Sequence, residues 1–314
     1  MSLAMKYRPL ISAILQTSAL FVAGIVIPIA GQLAALFAPV PLVLIYQRNG
    51  KTQGFIALAI SCLLVGLLGG WESAAILFFT FGLMAIGIAE GMRRQWTPEM
   101  VSLFGGLLPV VVAAAAIAVY VMRSHKNPVS VVEEYLQSSM VEAAKMYSQM
   151  GFSEMSTRIS MVSGRFVHHL TRLLPGITVA TSIFQAAVCY GLSRSILSRA
   201  PGTAVLPARV SLAQWHAPDI WVWGLIVGLA LIMVPDETAR YAGWNIAIIY
   251  AVIYLAQGVA VVDHYLVKAR IRPLMRGILH TIILALPSIV FVIALGVVDI
   301  WGDVRKVRRH APPQ

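Results

Sequence analysis

The chain has 314 residues, of which 59% are hydrophobic and only 12% charged, with a formal net charge of +11 and a mean hydropathy of +0.80. A soluble domain carries about a quarter charged residues, so these values exclude a water-soluble globular protein and leave an integral membrane protein. The positive charge does not argue for nucleic acid, because the cations cluster between apolar runs, where the positive-inside rule accounts for them.

A spanning helix needs about 20 mostly apolar residues. In chain order the candidates are 10–30, 33–46, 54–70, 73–91 and 101–122, then 173–192, 219–234, 242–263 and 275–298. That is an all-α polytopic bundle of about nine spans. Pro28, Gly31 and Gln32 interrupt the first pair, so 10–46 could also be one span and a re-entrant piece. The first run lacks a small-residue cleavage site, so no cleavable signal is expected.

Short loops set the orientation. Lys6, Arg8, Arg48, Lys51, Arg93, Arg94, Arg199 and Arg270 fall on one side, while Glu72, Asp236 and Glu237 fall on the other with the lone cation Arg240. The expectation is a bacterial cytoplasmic membrane protein with a cytoplasmic N-terminus. Nine spans leave the tail cations Arg305, Lys306, Arg308 and Arg309 on the outside, against the rule.

Residues 123–172 are too polar to span. Ser130 and Glu133 read as a capping box, and Val132, Leu136, Met140, Ala143 and Tyr147 recur at helical spacing. Gly151 reads as the stop, and a second helix is expected from Ser153 to Leu174, before Pro175. The pair is expected to be an amphipathic hairpin on the outer surface, serving as a connector or as a lid with an adaptable methionine face. The chain then divides into a five-span bundle over 1–122, the hairpin over 123–172, and a four-span bundle with a basic tail over 173–314.

Enzyme motifs are absent: there is no His-Glu-x-x-His, no Gly-x-Ser-x-Gly, no phosphate-binding glycine loop and no Cys-x-x-Cys. Adjacent His168 and His169 point about 100° apart on a helix and cannot chelate as a pair. No catalytic residue, metal ligand or cofactor is therefore assigned. Cys62 and Cys189 sit inside apolar runs and read as small core residues.

Polar side chains inside spans are the informative feature, because each must face protein or water. Tyr250, Tyr254 and Gln257 share one face of 242–263, and Asn245 lies on another. Thr181 and Gln185 belong to a polar stripe on 173–192. These six residues are the candidate solute-lining set. The alternative is that they hold helices together by hydrogen bonds worth ~0.6–2 kcal/mol each. Gln257 is expected to face the bundle interior and meet Gln185 or Thr181. Asp263 is expected to pair near the inner interface with Lys268 or its helical neighbours, and Glu90 with Arg93 and Arg94. Gly66-x-x-x-Gly70 and Gly224-x-x-x-Gly228 read as close-packing signals.

The stretch from Asn245 through Tyr254, Gln257, Gly258 and Val261, with its basic exit, resembles the end of the YybS-type bacterial membrane proteins. Trp215, Pro218 and Trp223 are similar to that family's lead-in to the preceding helix, and "DIWGDVRK" is similar to its terminus. The first half is similar in layout to the S-components of energy-coupling-factor vitamin transporters. That more distant resemblance implies binding or transport of a small solute, with a partner protein supplying energy. The rival expectation is a structural or assembly protein of the membrane.

Overall fold

A computed structural model describes residues 3–27, 30–124, 127–199, 213, 215–285 and 289–305. Residue Pro28, most of the connection after Arg199, and the tail cations beyond Arg305 lie outside the described residues. The described chain is helical, with no strand. In order it forms α1 (Leu3–Val26), α2 (Ala30–Ala35), α3 (Pro39–Asn49), α4 (Lys51–Ile76), a π-helical turn at Leu77–Gly82, α5 (Leu83–Arg93) and α6 (Pro98–Ser124). There follow α7 (Pro128–Gln149), α8 (Ser153–Leu197), α9 (Trp221–Ile232), α10 (Glu237–Lys268), α11 (Pro273–Ala285) and α12 (Ile289–Gly302). Among the described residues six helical stretches are long and apolar enough to cross a membrane, and α9 and α12 are shorter apolar helices. The protein is an all-α polytopic membrane bundle.

Several boundaries move for physical reasons. The expected span 33–46 is two helices, α2 and α3, joined by a turn at 36–38. The break between 54–70 and 73–91 falls on Gly70, whose φ of +81° only glycine adopts at low cost. Gly70 is therefore a breaker, and Gly66-x-x-x-Gly70 is no packing motif. The cap of α7 is Asn127, whose side chain accepts from Val129 N–H at 2.9 Å with Pro128 in the first turn. Ser130 instead donates its hydroxyl to the Asn127 carbonyl at 2.8 Å. The second hairpin helix does not stop at Leu174. It runs through Pro175 as one 45-residue helix.

Two compact units divide the chain, Met1–Ala118 with Thr181–Arg209, and Val119–Ala180 with Val210–Gln314. In the first unit the turn between α2 and α3 leaves the Leu36 carbonyl without a helical partner. Gln185 Nε2 donates to it at 3.0 Å and Cys189 Sγ at 3.1 Å. Broken backbone in a spanning segment needs such cover. Ser182 donates to the Gly106 carbonyl at 2.8 Å. Glu90 gathers Lys51 at 3.1 Å, Arg94 at 3.3 Å and the Tyr46 hydroxyl at 3.0 Å.

In the second unit the hairpin turns at Gly151, φ +87°. Gln137 Nε2 donates to Ser163 Oγ at 3.2 Å across it. His168 stands between Glu133 of α7 (3.4 Å) and Glu237 of α10 (3.7 Å) and so bridges these elements. Arg172 bonds Glu237 at 2.5 Å, and His169 bonds the Tyr241 hydroxyl. Methionines 146, 150, 155 and 161 are exposed on the hairpin.

Candidate functional site

The site is built on α10, a 32-residue helix capped by Asp236, whose carboxylate accepts from Ala239 N–H at 2.7 Å. Glycines open two of its faces to close neighbours. Gly224 lies against Tyr250, Gly228 against Ile246, and Gly243 against Ile232, so α9 runs antiparallel to α10. The Gly224-x-x-x-Gly228 signal is thus a true close-packing surface. Gly258 lies against Val292, and Gly296 against the Tyr254 backbone, so α12 is antiparallel on another face.

At 1.5 Å per residue α9 is roughly 18 Å long and α12 roughly 21 Å, while a bilayer core is ~30 Å thick. Neither spans. Continuing the α9 register backwards places the non-helical segment 215–218 beside Gln257. There the Ala217 N–H donates to Gln257 Oε1 at 2.9 Å. Gln257 lies roughly 16 Å from the Lys268 end of α10, well inside the helix. The last expected span, 275–298, is two helices, and Arg305, just beyond α12, returns to Asp299.

A buried polar cluster forms where these ends meet. Gln257 Nε2 donates to Asp299 Oδ2 at 2.7 Å. Arg305 donates to that same oxygen from Nε at 3.0 Å and Nη2 at 2.8 Å, and from Nη1 to the Ala213 carbonyl at 3.0 Å. Gln257 is 0% exposed, Asp299 1% and Arg305 5%. A buried ion pair persists because each partner is also hydrogen-bonded. Of the buried side-chain atoms that have no hydrogen-bond partner among the described residues, Asp299 Oδ1 lies on α12 and the Tyr254 hydroxyl on α10. Tyr254 is 0% exposed, and its ring stacks on Tyr250 at 6.4 Å.

Gln257 therefore faces the interior as its chemistry requires, but its partners are Asp299 and Ala217 rather than Gln185 or Thr181. Gln185 serves the Leu36 carbonyl. Asn245 is engaged differently again. Its Oδ1 accepts from Gly176 N–H at 2.5 Å, while its Nδ2 donates to Arg172 O at 2.9 Å and Tyr241 O at 2.7 Å. Residues 172 and 176 are the i, i+4 pair of the turn around Pro175, which proline disturbs. The amide bridges that turn, so α8 continues. Asp263 meets Arg276 at 3.4 Å and His280 at 3.9 Å on α11 rather than Lys268. Sequence reasoning missed Asp299 and Arg305. A carboxylate deep in the apolar run 289–302 was the available signal. Arg305 is also the tail cation whose side of the membrane stood against the loop rule; its charge is consumed inside the protein.

Among the described residues no group of three or more His, Cys, Asp or Glu side chains is placed to hold a metal ion. A family model described as "Predicted membrane protein (DUF2232)" matches residues 15–300. The chain belongs to this family. In this DUF2232 protein the match includes Tyr254, Gln257 and Asp299 and ends before Arg305. No curated protein matches the chain, and no solved structure does.

Proposed function

We propose that the protein binds a small polar solute within the bilayer, at the ends of α9 and α12, and works as a binding or transport subunit energised by a separate protein. The carrying observation is the pair of short helices that end beside the Gln257–Asp299–Arg305 cluster. Helices interrupted at membrane depth are tolerated where they line a cavity, and they mark substrate sites in many transporters. The unpartnered Tyr254 hydroxyl and Asp299 Oδ1 supply open valences for a ligand. Loop charge supports an N-terminus in the cytoplasm of a bacterial cell, with the hairpin outside. The resemblance of the first half of the sequence to S-components supports the same reading.

A second reading has its own support. Asn245 and Gln185 both bond to helix backbone, as in a protein whose polar groups only secure helices. Tyr254→Phe separates the two. Its hydroxyl has no protein partner among the described residues, so removing it is expected to leave thermal stability unchanged or slightly raised. Purified protein in lipid nanodiscs would be melted against a panel of amines, amino acids, sugars and vitamins. Binding predicts that one solute raises the melting temperature of the wild type and needs at least a tenfold higher concentration in the Phe variant. A wild type that answers to none, or a variant that binds equally well, sinks the solute reading.

A further inference from the structure

We infer that Asp299, with Gln257 and the Ala213 carbonyl beside it, forms a receptacle for a small guanidinium or amidinium cation, and that Arg305 of the chain's own C-terminal segment is its resident occupant. This rests on the solute-binding reading and names the class of solute. The receptacle presents two acceptors to one planar cation, Asp299 Oδ2 and Ala213 O, both within 3.0 Å of Arg305 nitrogens. Without Arg305 it would carry one buried negative charge, so the ligand must bring one positive charge.

Arg305 fills the place imperfectly. A free guanidinium pairs with a carboxylate as a fork, one N–H to each oxygen. Here Nε and Nη2 both converge on Oδ2, and the buried Oδ1 has no hydrogen-bond partner among the described residues. The tether explains the poor fit. Arg305 follows Asp299 by only six positions, and between them Asp303 adopts φ +38°, a conformation that costs a non-glycine residue energy. A cation free of that tether can make the fork. Such an occupant competes with Arg305 for Asp299.

Methylguanidinium chloride is the probe, with methylammonium chloride and sodium chloride as controls at equal ionic strength. The full chain in nanodiscs would be followed by thermal unfolding. Arg305→Ala is expected to melt well below the wild type, and methylguanidinium at tens of millimolar should restore most of the loss while methylammonium does not. Combining it with Asp299→Asn should abolish the restoration. Arg305→Lys keeps the charge and covers the case in which the alanine variant does not fold. A lysine bonds through one nitrogen and is easier to displace, so methylguanidinium should act at no more than a tenth of the concentration the wild type needs. No response in either variant, an equal response to methylammonium, or restoration that survives Asp299→Asn overturns the inference. A different solute from the wider panel that binds and depends on Tyr254 would leave the broader reading standing while this one falls.

Discussion

Asp299→Leu is expected to lower the free energy of unfolding by about 3–5 kcal/mol, the cost of stranding a buried charge. The change removes the acceptor of Gln257 and of two Arg305 nitrogens at once. Arg305 is only 5% exposed, so its guanidinium either stays buried unpaired or pulls the C-terminal segment out of the fold. Adding Arg305→Met should return most of the loss, because apolar side chains of similar size can replace a buried pair at little cost. The variants would be compared by chemical unfolding in mixed micelles. A single substitution that costs less than about 1 kcal/mol, the scale of an exposed pair, would contradict the buried pairing.

Gly258→Val is expected to be as damaging through sterics alone. A Cβ at this position would run into the Val292 backbone carbonyl, and one at Gly296 into the Tyr254 carbonyl. Backbone cannot rotate aside as a side chain can, so α10 and α12 must separate. The loss should exceed the roughly 1–3 kcal/mol of ordinary overpacking, and the Gln257–Asp299 bond should go with it. Gly164→Ala is the control. Nothing lies within 4 Å of its added Cβ, so the better helix former should leave stability equal or raised. Equal melting temperatures for Gly258→Val and wild type would refute the close approach of the two helices.

These expectations show what could be read in the sequence and what could not. The burial of Gln257 followed from desolvation cost alone, and it holds. The Gly151 turn and the close packing at Gly224 and Gly228 were equally legible, since each rests on local backbone chemistry. The partner of Gln257 was not legible, because it depends on where α9 and α12 end. Both sit in largely apolar runs whose periodicity does not mark depth. Pro287 in "ALPSIV" was the available signal that 275–298 is not one helix. Pro175 misled in the other direction, since its helix is rescued by Asn245, sixty-nine residues away from Gly176. Arg305 was read as a tail cation because a sequence does not reveal that it returns to Asp299.

The central claim is that non-helical backbone beside Gln257 borders a site that a solute can reach. It is tested most directly by thiol accessibility at Ala217, which is 0% exposed and bonded to Gln257. Ala217→Cys would be placed in a chain whose Cys62 and Cys189 are replaced by alanine. Reaction in sealed vesicles would be timed with a small, water-soluble, charged thiosulfonate reagent. The account predicts that the thiol introduced by Ala217→Cys reacts within minutes and is slowed at least threefold by a solute that raises the melting temperature. The thiol introduced by Val261→Cys, at an equally buried position, should stay unreactive. If the Ala217→Cys thiol is as inert as the Val261→Cys thiol, with or without any solute, the ends of α9 and α12 are sealed by packing alone, and the solute-binding account is wrong.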